Sequence, residues 1–217
     1  MKLFSKLRTA PLFLLPFLLL LSACGAASAP GEAGTAAGSA GAGSRSAGSA
    51  FDKAALNRRF PAYEYGGKDP VEKLVYDAEA KRNPIDKDGY FVVVSPKIID
   101  MSRERDLLKV FAISYGGGYK IYSDNTVYMD SGWNFPAALT YQKQPDGTYS
   151  LKKYEMPQEG RYADSVRSFC KAPATGAEIV GLPERMMQSY DLEGNLNRNL
   201  QAYLKENKVE NAKIRSG

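Results

Sequence analysis

The chain contains no histidine in 217 residues. This removes the usual general base near neutral pH, the Ser/His/Asp and Cys/His arrangements, and the common zinc sites. Carboxylate and lysine chemistry stay open. Cysteine is almost as scarce: Cys24 and Cys170 are the whole complement, too few for a disulfide framework. Long apolar runs are missing too. A membrane-spanning helix needs about 20 apolar residues, whereas Leu12 to Leu21 covers about half that and contains Pro16.

The short run has another use. Lys2, Lys6 and Arg8 precede it as a positive n-region, Pro11 to Leu21 form the apolar h-region, and Leu21-Ser22-Ala23-Cys24 closes it. Small residues before a cysteine form a lipobox, cut ahead of Cys24, whose thiol then takes a diacylglycerol. Residues 1–23 are therefore expected to be a lipoprotein signal peptide and Cys24 the lipidation site. An ordinary secretory signal is the rival reading, and the placement of Cys24 before Gly25 favours the lipoprotein. Each buried methylene adds about 0.8 kcal/mol, so two or three acyl chains hold firmly where one does not.

Removal of residues 1–23 lowers the formal charge from +5 to +2, because three basic residues and no acid leave with them. Such a charge is compatible with weak attraction to anionic lipid or wall polymer. A nucleic-acid footprint needs a concentrated basic patch, and the sequence has none, so no nucleic-acid partner is expected. With Cys24 committed to lipid, Cys170 is unpaired; in Ser165-Val166-Arg167-Ser168-Phe169-Cys170 it reads as a buried, inert thiol at helical spacing.

Residues 24–50 follow as the lipidated cysteine and a Gly/Ala/Ser tract with only Glu32 and Arg45 charged. That composition cannot bury enough apolar surface to offset ordering entropy and predicts a flexible tether. Its r.m.s. span is about 30 Å. Residues 51–217 are then expected to be one α+β domain. Asp69 as cap, Pro70 at the first helical position and Glu72 three residues on predict a helix start. Val71, Leu74, Val75 and Ala78 share its face, and Pro84 blocks continuation. Strands are predicted at Tyr90 to Ser95, Leu107 to Tyr115, Tyr119 to Ser123, Thr126 to Asp130, Phe135 to Lys143 and Thr148 to Met156. Gly116-Gly117-Gly118 and Ser131-Gly132-Trp133-Asn134 read as a turn and a loop between them. Helical spacing returns at Tyr162 to Cys170, Leu182 to Tyr190 and Leu196 to Leu204. Helix, strands, then helices is an α+β order: an antiparallel sheet of about five to six strands, curved, with the N-terminal helix across one face.

No residue pattern specifies catalysis. Asp86-x-Asp88-Gly89 is a fragment of a calcium loop without its other ligands and reads as a turn; no metal and no cofactor are expected. Asp100, Glu104, Asp106, Asp130 and Glu155 supply acids for a hydrolase, but no spacing rule brings two of them together. The strands are rich in aromatics. Trp133, Tyr115, Tyr119 and Tyr141 are the candidate ligand-binding residues, able to stack on sugar rings or grip a peptide if they line a concave face. Half-buried tyrosine is equally a normal strand former.

Asp88-Gly89-Tyr90-Phe91-Val92-Val93-Val94-Ser95-Pro96-Lys97-Ile98-Ile99-Asp100 carries a family likeness, continued by Leu107 to Ala112, Pro136 to Tyr141 and Asp146 to Leu151. Across residues 70–205 the layout resembles an uncharacterised extracellular lipoprotein domain of Gram-positive bacteria. It is similar to the C-terminal extension of membrane metallopeptidases related to beta-lactam sensors. The resemblance implies a sensor or interaction module and no catalytic residue, since the peptidase zinc motif lies in the membrane part. By shape the layout is similar to NTF2-like and cystatin-like folds, which host binders and enzymes alike.

The expected function is a lipid-anchored, extracytoplasmic binding or sensing protein without enzymatic activity. Its expected partners are membrane lipid through Cys24 and a cell-wall component, peptide or membrane protein. Two other classes stay open: a histidine-free envelope hydrolase using paired carboxylates, and a transporter-associated solute-binding lipoprotein. The latter usually has two α/β lobes, which this order of elements does not supply.

Overall fold

The first helix begins where local chemistry dictates. In the computed structural model, which describes residues 54–215, helix α1 runs Pro70–Arg82. The Asp69 carboxylate accepts from the Val71 and Glu72 amides at 2.8 and 2.9 Å, satisfying two orphan donors of the first turn. Lys81 and Arg82 in the last turn complement the helix dipole. The expected signal peptide, lipidation site Cys24 and tether lie outside the described residues, which all belong to one compact unit.

Six strands follow: β1 Tyr90–Val94, β2 Lys97–Glu104, β3 Leu107–Ile121, β4 Thr126–Lys143, β5 Tyr149–Glu155 and, near the end, β6 Lys213–Arg215. All pairings are antiparallel except β6 on β4. Strands β1 and β2 lie end to end along one edge of β3, opposite Gly116–Lys120 and Leu107–Ile113 respectively. Along the far edge of β4, β5 pairs with residues 138–143 and β6 with Thr126–Tyr128. Helices α2 Tyr162–Phe169, α3 Leu182–Met186 and α4 Glu193–Glu206 complete the α+β class expected from the order of elements.

Two boundaries differ from the sequence reading. Gly116-Gly117-Gly118 is not a turn, and Ser131-Gly132-Trp133-Asn134 is not a loop: both lie inside the two longest strands and pair with one another, Gly116 opposite Trp133 and Gly117 opposite Gly132. Glycine here clears space. A Cβ on Gly116 would stand 2.5 Å from Trp133 Cζ2 and 3.0 Å from the Val93 carbonyl oxygen. The indole lies on the strand where a side chain would otherwise be. Strands β2 and β6 are additional; β2 carries a bulge between Ile98 and Asp100 that breaks its alternation.

Both faces of β3 are covered, so most of the strand reads as one buried run. On one face Leu108, Val110 and Ala112, with Ala137, Leu139 and Tyr141 of β4, pack on Val75 and Ala78 of α1. On the other, Phe111 and Ala138 meet Val166, Phe169, Cys170, Leu182 and Met186 from α2 and α3. Further along that second face, Phe91, Tyr119, Ile121 and Val127 meet Leu196, Leu200, Tyr203 and Leu204 of α4. Full burial of each such leucine contributes about 1.5–3 kcal/mol. The Tyr203 hydroxyl donates to the Pro61 carbonyl at 2.5 Å, tying the segment before α1 onto this third core.

Candidate functional site

The buried face of α1 carries a carboxylate. Val75, Ala78, Glu79 and Arg82 follow helical spacing, so Glu79 points at the sheet with the apolar residues and is 0 % exposed. A buried carboxylate must be paired, hydrogen-bonded or protonated. Ser114 Oγ on β3 donates to Glu79 Oε2 at 2.5 Å, and Tyr154 Oη on β5 donates to Oε1 at 2.6 Å. Arg82 Nε stands 3.9 Å from Oε2, at the limit of an ion pair. Its guanidinium is held between the rings of Phe135 and Tyr154, 4.9 and 5.0 Å from their centroids.

Burial is the dominant influence and pushes the Glu79 carboxyl above the ordinary glutamate range; the hydrogen bonds from Ser114 and Tyr154, then Arg82, oppose it. The Trp133 indole acts in the same direction as those donors, yet its buried Nε1 closes no hydrogen bond of normal geometry. Arg82 Nε likewise lacks a bonded partner. A carboxyl with a raised proton affinity, ringed by a hydroxyl, a phenol and a cation, has the makings of a general acid or base. It is nevertheless sealed. A groove of about 570 Å³ beside it is lined by Leu74, Lys81, Arg82, Tyr141, Leu151 and Tyr154, so Tyr154 and Arg82 stand between any occupant and Glu79.

Acid-pair hydrolysis needs a second carboxylate across a cleft. Asp100 bonds Arg185, Glu155 pairs with buried Lys109 at 3.3 Å, and Glu104 accepts from the Ala174 and Thr175 amides at 2.7 and 2.9 Å. None of these, nor Asp106 or Asp130, is among the groups that shift Glu79. Asp86 and Asp88 both pair with Arg59 instead of forming a cation loop. Among the described residues, no three acid or thiol side chains gather as metal ligands would.

The four aromatic residues singled out in the sequence do not share a surface. Tyr141 is 2 % exposed under α1 and donates to the Leu74 carbonyl at 2.9 Å. Tyr119, also 2 % exposed, lies on the opposite face beneath α4, with Tyr115 half-buried on the same core. Trp133 is half-buried over Gly116 on the α1 face. Cys170 is buried, and burial pushes its thiol up to about 12, far from a reactive nucleophile.

Sequence reasoning missed Glu79, Ser114 and Arg82. A signal for Glu79 was present: it stands four residues after Val75, on the stripe that also holds Leu74 and Ala78. Ser114 likewise continues the alternation of Leu108, Val110 and Ala112. A polar residue in phase with an apolar stripe marks a buried polar group. Compared with family models, with curated proteins and with solved structures, the chain gives no match.

Proposed function

We propose that this chain is a lipid-anchored binding or sensing protein of the extracytoplasmic envelope, without enzymatic activity. The observation that carries the reading is Leu21-Ser22-Ala23-Cys24 behind a charged n-region and an apolar h-region, followed by a Gly/Ala/Ser tract. Anchoring raises the effective concentration of the domain toward any partner at the same membrane. The resemblance to extracellular lipoprotein domains, and to NTF2-like and cystatin-like folds in which a helix lies on a curved sheet, belongs to this proposal.

The groove between α1 and β5 is the ligand site we assign to it. Its volume, about 570 Å³, falls within the roughly 300–1,000 Å³ of small-ligand sites. Tyrosine rings with Asp77, Lys81 and Arg82 at the rim offer stacking and both signs of charge, which suits a peptide or a wall fragment. The closed carboxyl behind Tyr154 and Arg82 supports binding rather than turnover.

Mass spectrometry of the chain from a membrane fraction tests the anchor. An N-terminal Cys24 carrying a diacylglyceryl mass is expected; an unmodified start, or recovery in the soluble cytoplasmic fraction, rejects the reading. Lys81→Glu, which reverses a rim charge, is expected to reduce capture of envelope components by the lipidated protein. Unchanged capture would remove the groove from the proposal.

A further inference from the structure

Helix α1 covers only part of its face of the sheet. Beyond it, one register row crosses four strands: Tyr90 of β1 faces Lys120 of β3, Lys120 faces Tyr128 of β4, and Tyr128 faces Arg215 of β6. Antiparallel and parallel partners point to the same side, so tyrosine and cation alternate along a line of about 14 Å, taking roughly 4.8 Å between strands. Tyr122 stands two residues from Lys120 on the same side and meets the Tyr128 ring edge-on at 5.6 Å. Lys120 Nζ sits 4.5 Å from the Tyr122 centroid and Lys87 Nζ 4.2 Å from that of Tyr90. Ile85, more than a third exposed, reaches the position where Gly118 lacks a side chain, beside this row.

The row itself contains no acid. Asp86 and Asp88 in the preceding turn are both engaged by Arg59, and Asp124 accepts from the Thr126 amide. Tyr122, above all, pushes the Lys120 ammonium up, so it stays charged. The chain coming from Cys24 joins the domain at this same corner: Ala55 bridges to Tyr122, and the Ser123 amide donates to the Ala54 carbonyl.

We propose that this half-exposed tyrosine–cation row docks on the anionic surface of the bilayer, so that the anchored domain lies against the membrane. The proposal rests on the lipid-anchor reading. Tyrosine places its ring at the headgroup level with the hydroxyl in water, and lysine and arginine reach lipid phosphates from there. Three cations on one side, Lys87, Lys120 and Arg215, complement a negative surface.

The test uses residues 24–217 with Cys24→Ser, which keep every described core and carry no lipid, so docking is read apart from anchoring. Co-sedimentation is expected with phosphatidylcholine vesicles containing phosphatidylglycerol, little with phosphatidylcholine alone, and loss on raising the salt. Each basic residue near an anionic surface is worth roughly fivefold in affinity, so Lys120→Gln with Arg215→Gln should weaken binding about twenty-five-fold. Lys152→Gln with Lys153→Gln, on β5, should leave it within about twofold. Equal binding to both vesicle types, an unaffected Lys120/Arg215 variant, or an equal loss in the β5 pair overturns the proposal. Tight binding of soluble polyphosphate without vesicle binding also overturns it, in favour of a wall-polymer site.

Discussion

The Tyr154 hydroxyl on β5 donates to Oε1 of Glu79 on α1 at 2.6 Å, fastening the helix to a strand 75 residues further along the chain. Glu79 is removed from water and Tyr154 is half-buried, so the carboxyl depends on the phenol for one of its hydrogen bonds. Without the phenol, one carboxylate oxygen is left unsatisfied in a low-dielectric setting. Tyr154→Phe is expected to cost about 1–3 kcal/mol near neutral pH in urea unfolding. A loss below a few tenths would mean that water or Arg82 replaces the phenol.

Glu79 should also leave a signature in the pH dependence of stability. Its folded-state proton affinity is raised above the ordinary value of 4.5, so the folded chain holds this proton more tightly than the unfolded chain. The stability it contributes is fully present below about pH 4.5 and is lost as pH rises through the folded value. Glu79→Gln should remove that decline and raise stability at neutral pH relative to the parent chain. A difference curve, parent minus variant, that climbs with pH would reject the assignment.

Gly116 and Trp133 form one packing unit. Gly116→Ala places a methyl 2.5 Å from Trp133 Cζ2 and should cost about 1–3 kcal/mol by overpacking. In a Trp133→Ala background the same change should cost less, with a coupling of at least about 0.5 kcal/mol. Additive losses would show that the clash with the Val93 carbonyl, not the indole, sets the need for glycine.

Cys170 should report on unfolding. The thiol is buried and pushed up to about 12, so a disulfide reagent at pH 8 should react only as fast as the domain opens. Leu200→Ala, which empties part of the α4 core, should destabilise by about 2–5 kcal/mol and speed the labelling if opening is global. Rapid labelling of the intact parent domain would place the thiol nearer solvent than its burial allows.

The cap of α1 is a local matter. Asp69→Ala should lose about 1 kcal/mol in thermal or urea unfolding, and Asp69→Asn should lose much less, since asparagine also accepts from the first-turn amides. Equal losses for the two would show that the charge at the helix end dominates over the cap bonds.

Much of the fold follows from patterns of short range. Asp69, Pro70 and Pro84 bracket α1 because capping and proline sterics act within a few residues, and 3.6-residue spacing marks α2 and α4. The strand ends were less legible. Three consecutive glycines ordinarily favour a turn, but here Trp133, Met129 and Ser131 of β4 reach into the space beside Gly116, Gly117 and Gly118, and backbone pairing continues through them. Strand β2 was hidden because Asp100, Ser102 and Glu104 interrupt its apolar residues on a half-exposed edge. The candidate site was least visible, since Tyr154 of β5 and Glu79 of α1 lie 75 residues apart and meet only when the helix packs on the sheet.

By itself the sequence determined the absence of histidine, the start of the first helix and the α+β order of elements. These depend on residue type and near-neighbour spacing. Only the tertiary structure decided that Glu79 is sealed, that Tyr119 and Tyr141 lie on opposite faces, and that Tyr90, Lys120, Tyr128 and Arg215 stand in one row. Burial and cross-strand register arise when segments far apart in the chain come into contact, and no local pattern specifies which surfaces those contacts will cover.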